Sequence, residues 1–162
     1  PDATIDWVVE EGYVSLVRLN PHVRNIIPFA LRRWRKSLGD KATRGEIRAF
    51  FSTLRQERYD YVFDTQGLLK TGIIMGAARI VRGGQKVGLA NGSEGSGYEG
   101  ISRIFHTRSI PLDPRTHAVA RFALPANEIP HGADNTMGRD VCRDTIAQQL
   151  ADIRLHIPLQ VP

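Results

Sequence analysis

Short β-branched runs alternate along this chain with segments of helical period, and that alternation limits the folds open to it. Residues 4–10, Thr-Ile-Asp-Trp-Val-Val-Glu, predict a buried strand that Gly12 ends. A short helix over 13–19 and a strand over 23–29 follow, with Pro28 required to sit at an edge or an end. Thr43 to Tyr59 is the strongest helix: Ile47, Phe50, Phe51 and Leu54 recur at helical spacing, and Thr43 with Glu46 reads as a capping box. Residues 61–64 predict a strand, 66–79 a helix that opens at Gly67, and 86–90 another strand. Strand, helix and strand in turn argue for an α/β fold with a largely parallel sheet.

Seven glycines lie between Gly83 and Gly100 and predict a long mobile loop. Beyond it, 101–106 reads as a helical turn, 117–124 as a helix, 125–138 as a linker, and 139–155 as an amphipathic helix through Val141, Ile146, Leu150 and Ile153. The domain reading is therefore 1–124 as one α/β domain and 125–162 as linker and terminal helix.

At 162 residues the chain is about one domain long, and 41% hydrophobic residues exclude a disordered tail or a coiled coil. Cys142 is the single cysteine, so neither an internal disulfide nor a four-cysteine zinc site can form, which suits a reducing compartment. No run approaches the ~18 apolar residues of a membrane span, and Pro1-Asp2-Ala3-Thr4 does not read as a signal peptide. Net charge is +5, and residues 29–58 alone carry +6. One local basic block points to an anionic partner at one place.

Three segments have the chemistry to form a site. In the first, Arg32, Arg33, Arg35 and Lys36 surround Trp34, and Leu31, Trp34 and Leu38 would share a face if the segment is helical. Guanidinium forks suit phosphate and carboxylate. Trp34 would suit a membrane interface, with the cations on anionic headgroups. A solvated helix face over a buried tryptophan is the plain structural reading, and nucleic acid is a third partner class, disfavoured by the lone aromatic.

The second segment is Asp64-Thr65-Gln66-Gly67-Leu68-Leu69-Lys70-Thr71, an acid at a strand end, a glycine at a helix start and a lysine one turn on. Helix-opening amides and a lysine suit an anion, whereas Asp64 or Thr65 acting only as a helix cap is the structural alternative. The third, Gly95-Ser96-Gly97-Tyr98-Glu99-Gly100, matches the spacing of a dinucleotide loop but lacks the adjoining strand and distal acid, so it reads as a flexible loop. The five histidines show no metal-ligand spacing; His106 and His117 lie near Arg103, Arg108 and Arg115, where phosphate binding is the alternative, but read as ordinary surface residues. Glu10 and Glu11 should point to opposite faces, and Cys142 reads as a core residue.

Taken in order, Asp6-Trp7-Val8-Val9-Glu10-Glu11-Gly12, Val23-Arg24-Asn25-Ile26-Ile27-Pro28, Arg32-Arg33-Trp34-Arg35-Lys36 and Asp60 through Thr71 resemble the amino-terminal, acceptor-binding domain of glycosyltransferase family 9, in its heptosyltransferase I branch. The match runs from about residue 2 to residue 90, and more loosely to His117-Ala118-Val119; no resemblance extends past Arg121. It implies the amino-terminal half of a GT-B enzyme with Rossmann-like domains. The implied reaction is inverting transfer of heptose from ADP-heptose to Kdo-bearing lipid A, with a carboxylate base and no metal or redox cofactor. Arg32, Arg33, Arg35 and Lys36 would contact acceptor phosphates and carboxylates, and Gln66, Gly67 and Lys70 would flank the cleft. The implied partners are an anionic glycolipid and the cytoplasmic face of a bacterial inner membrane, not nucleic acid.

The chain departs from that pattern in three places. The family's Ser-Ser-x-Gly-Asp loop, with its general base, and the Asp-Thr-Gly donor loop do not occur in these 162 residues, and Tyr98-Glu99 stands where an Arg-Glu pair is expected. No catalytic residue is therefore assigned, and the chain alone is expected to be inactive. A parallel sheet without its first, central strand should rearrange or associate through an exposed edge into a homo-oligomer. A non-catalytic module for anionic membranes, glycolipids or a partner protein is the competing function.

Overall fold

A computed structural model describes residues 3–93 and 95–115. The expected boundary at 124/125, the helices over 117–124 and 139–155, Cys142 and His117 lie outside the described residues. The chain divides into two compact units, one of residues up to Tyr59 with Ala77–Val81, the other of Asp60–Gly76 and the chain from Arg82.

The first unit opens with strand β1 (Ile5–Glu10), a single 3-10 turn (Glu11–Tyr13), helix α1 (Val14–Val17) and strand β2 (Val23–Phe29). β1 and β2 pair in parallel, with Trp7 opposite Ile26 and Val9 opposite Pro28. Pro28 sits one residue from the strand end, where its missing N–H costs little. β1 is not the buried strand expected: Ile5 and Trp7 alternate onto one face and both stay exposed. Helix α2 (Leu31–Trp34) is a single turn, and Leu38 lies beyond it, 57% exposed, so Leu38 does not share a buried face with Trp34.

Helix α3 (Lys41–Leu54) starts two residues earlier than the capping-box reading and stops before Tyr59. Asp40 is its N-cap and accepts the Ala42 N–H at 3.1 Å. Thr43 is buried within the first turn, and Glu46 lies too far along the helix to close a box. α3 packs on β2 through Phe50, whose ring meets Phe29 at 6.2 Å and Trp34 at 5.7 Å, both tilted. With Ile27 and Leu54 these rings form the core of the unit. Asp6 ties its edge together, accepting from Arg24, Asn25 and the Tyr59 hydroxyl at 2.9–3.1 Å.

Strand β3 (Arg58–Asp64) begins three residues before the expected 61. Helix α4 (Leu69–Ala77) is shorter than the expected 66–79, because Asp64 to Leu68 form the turn that starts it. Strand β4 (Arg79–Leu89) runs through Gly83 and Gly84, so the first part of the supposed mobile loop is strand. A 3-10 helix spans Gly100–Phe105, and a strand not foreseen, β5 (Arg108–Ile110), pairs in parallel with β4. The hydrogen-bonded orders are β1-β2 and β3-β4-β5. Among the described residues these are two sheets, not one, because no strand bonds to both.

Among the described residues, Leu89, Val87, Ile110, Leu112 and Met75 are the buried apolar side chains of the second unit. Gly72 and Gly76 let α4 approach the 3-10 helix closely: a Cβ at Gly72 would lie 2.8 Å from Phe105, and at Gly76 2.6 Å. Lys86 donates to the Gly76 carbonyl at 2.7 Å, placing a cation at the negative end of α4.

Candidate functional site

The basic cluster divides into held and unheld cations. Ala30 and Leu31 start a helix too short to satisfy itself, so α2 is fixed by its side chains. The Arg33 guanidinium forks onto Glu11 through Nε and Nη2, at 3.3 and 3.0 Å, and Nη1 reaches Glu46 at 2.7 Å. The same Glu46 oxygen accepts the Trp34 indole N–H at 2.8 Å. That indole bond, and then Arg33, hold the Glu46 carboxyl below its ordinary range, while Glu11 and Glu46 raise the Arg33 guanidinium further.

Trp34 is 7% exposed and its N–H is taken, so it is a core anchor and not an interfacial one. Arg32, Arg35 and Lys36 are exposed and form no ion pair among the described residues. Their neighbours Arg33 and Trp34 line a cleft of about 290 Å³ together with Ile27, Phe29, Phe50 and Glu11; Arg32, Arg35 and Lys36 do not line it.

In the second unit, Asp64 is 3% exposed at the end of β3. Its Oδ1 accepts the N–H groups of Gln66 at 2.9 Å and Gly67 at 3.1 Å, and its Oδ2 faces the Thr71 hydroxyl at 2.9 Å. This is the capping arrangement given above as the structural alternative. Gly67 has φ +67°, and a Cβ there would stand 2.5 Å from the Tyr98 ring. Glycine is required on both counts.

The loop before the 3-10 helix folds back on this turn. Tyr98 donates to the Ala90 carbonyl at 2.9 Å, the Glu99 N–H to the Gly67 carbonyl at 2.8 Å, and the Leu69 N–H to a Glu99 carboxylate oxygen. A carboxylate of the chain itself therefore occupies the first turn of α4, where an anion was expected. Gln66 is exposed and Lys70 half-buried, and neither side chain has a hydrogen-bond partner among the described residues. The site residues thus fall in both units, Arg32, Arg33, Arg35 and Lys36 in one and Gln66, Gly67 and Lys70 in the other.

The roles of Glu46 and Glu99 were missed from sequence. Sequence spacing puts Glu46 in a capping box with Thr43 and carries no signal for the bond between Glu11 and Arg33. His106 is not an ordinary surface residue: its ring packs against Gly88, Nδ1 meets the Ser109 hydroxyl at 3.1 Å, and Nε2 is buried with no hydrogen-bond partner among the described residues. Burial holds its imidazole below the usual range. No group of three or more metal-ligating side chains occurs among the described residues, and no helix there is long and apolar enough to cross a membrane.

Comparison with known proteins bears on this arrangement. No protein-family model matches the chain. Lipopolysaccharide heptosyltransferase 1 of Pseudomonas aeruginosa is 38% identical over 121 residues, 75% of this chain and 32% of that protein. The Escherichia coli K12 protein of that name is 34% identical over 140 residues, 85% of this chain and 42% of that protein.

The chain resembles lipopolysaccharide heptosyltransferase 1.

The likeness extends to structure. Escherichia coli heptosyltransferase WaaC, solved with ADP-2-deoxy-2-fluoro heptose, superposes with a TM-score of 0.68 at 30% identity, over 96% of this chain and 46% of that one. The same protein solved with ADP also gives 0.68. This mixed α/β chain with parallel strand pairs thus matches the fold of about half of that heptosyltransferase, over nearly its own whole length. It spans a third to two fifths of the length of the curated heptosyltransferases it matches.

Proposed function

We propose that this chain is the amino-terminal, acceptor-binding part of a lipopolysaccharide heptosyltransferase, a glycosyltransferase that moves heptose from ADP-heptose to Kdo of the lipid A inner core with inversion. One observation carries the reading at the level of residues. Arg33 is neutralised by Glu11 and Glu46, and that same network leaves Arg32, Arg35 and Lys36 exposed and unpaired beside it. Three unheld cations flank in sequence Arg33 and Trp34, which line a largely apolar cleft, and such a pairing suits an acceptor that carries phosphates, carboxylates and acyl chains.

The similarity to heptosyltransferases supports the reaction class, and the nucleotide complexes of the solved relative support ADP-heptose as donor. Gln66 and Lys70 are the residues of the second unit that this reading assigns to the acceptor, and Gly67 holds their turn. The work of the chain is then to bind and orient, and its place is peripheral on the cytoplasmic face of the inner membrane. General-base chemistry belongs to a Ser-Ser-x-Gly-Asp loop, which these 162 residues do not contain.

Titrating the chain with Kdo-bearing lipid A, with lipid A lacking Kdo and with phosphatidylglycerol tests this. Clear preference for the Kdo-bearing form supports it. Equal binding of all three favours the competing reading, a module for anionic membranes.

A further inference from the structure

Helix α3 carries a second cationic surface that the acceptor reading does not use. Lys41, Arg44 and Arg48 recur at helical spacing along its solvent side, Arg55 follows as its C-cap, and all four are exposed. The residues between them on that side, Gly45 and Ser52, are small, so the face is flat as well as basic. The two acids at the start of this face are engaged elsewhere, Asp40 capping the helix through the Ala42 N–H and Glu46 bonded to Trp34 and Arg33, while Glu57 follows beyond the helix end. None of the four cations forms an ion pair among the described residues.

At the start of α3 the chain turns through Ser37–Asp40, where Leu38 is 57% exposed between Arg35 and Lys36 on one side and Lys41 on the other. Arg44 donates to the Gly39 carbonyl at 2.9 Å and fastens the stripe to this turn. A helix about 20 Å long, cationic along one side with an exposed leucine at one end, is complementary to an anionic bilayer surface. A discrete phosphate would need converging donors, and these are spread along the helix.

We propose that α3 lies on an anionic lipid bilayer, its Lys41–Arg44–Arg48–Arg55 face on the headgroups and Leu38 inserted at one end. This deepens the glycolipid reading, on which it rests for the source of the surface, and moves the interfacial contact from Trp34 to Leu38.

Flotation of the full 162-residue chain with vesicles of phosphatidylcholine, alone or with phosphatidylglycerol, tests the proposal. Binding should require phosphatidylglycerol and disappear at high salt. Lys41→Glu/Arg48→Glu should weaken it at least about tenfold and Leu38→Ser about threefold. Circular dichroism checks folding, and Arg48→Gln serves if the double variant does not fold. Equal binding to neutral vesicles, no loss in any of these variants, or displacement by inorganic phosphate at matched ionic strength overturns it. So does a vesicle-free dimer, seen by light scattering, that Leu38→Ser dissolves. The vesicles contain no Kdo, so failure here leaves the acceptor reading standing, and failure of Kdo preference leaves this one standing.

Discussion

The indole of Trp34 donates its N–H to Glu46 at 2.8 Å, and that bond decides what the basic segment around it can do. It fixes the tryptophan in the core against Phe50 and brings the Glu46 carboxylate within 2.7 Å of Arg33. One of the four clustered cations becomes structural and the other three face solvent.

Removing that carboxylate should therefore loosen α2. Glu46→Ala leaves a buried indole N–H without its partner and frees Arg33, so the melting temperature should drop and the Trp34 emission shift. Glu46→Gln, which keeps an acceptor, should recover part of the loss. Unchanged thermal unfolding of Glu46→Ala would contradict the role given to the bond.

That network and the separate Asp6 cluster set the acid limb of stability. The Glu46 carboxyl is held below its ordinary 4.5 by the Trp34 bond and then by Arg33. The Asp6 carboxyl is held below 3.8, where burial acting upward is outweighed by the Arg24, Tyr59 and Asn25 bonds. A depressed folded value contributes stability above the unfolded pKa that is lost as pH falls through the folded one. Chemical denaturation at falling pH should show stability declining from about pH 4.5 downward, with a shallower decline in Glu46→Gln.

At the alkaline end the sign reverses. Burial, followed by the bond to Asp6, pushes the Tyr59 hydroxyl up to about 12 from 10.0. A raised folded value gives stability present below pH 10 and lost as pH approaches 12. Tyr59→Phe should remove that part of the alkaline dependence, read by absorbance titration alongside denaturation.

Gly67→Ala tests the turn ahead of α4. The left-handed φ of +67° and the 2.5 Å approach to Tyr98 predict a loss of about 1–3 kcal/mol. Adding Tyr98→Ala should relieve only the steric part. A neutral Gly67→Ala in denaturant unfolding would contradict this geometry.

What was legible in the sequence was periodic. Val8, Val9, Ile26 and Ile27 mark β1 and β2, and Phe50 with Leu54 marks the buried side of α3. Side-chain partnership across the chain was not. Glu46 has the spacing of a cap to Thr43, yet Trp34, 12 residues earlier, claims it. Gly83 and Gly84 look like loop, yet β4 passes through them, since main-chain pairing does not need their side chains. For the candidate site, the sequence located the cations and the Asp64 turn. It could not separate Arg33, which is neutralised, from Arg32, Arg35 and Lys36, which are not, nor foresee that Glu99 caps α4.

The most direct test of the central claim is equilibrium binding of Kdo-bearing lipid A, at fixed ionic strength, to the native chain and to Arg32→Ala/Arg35→Ala/Lys36→Ala. The account predicts salt-sensitive binding to the native chain and a loss of at least about tenfold in the triple variant, with the fold retained. Equal affinity of the two folded proteins would contradict it.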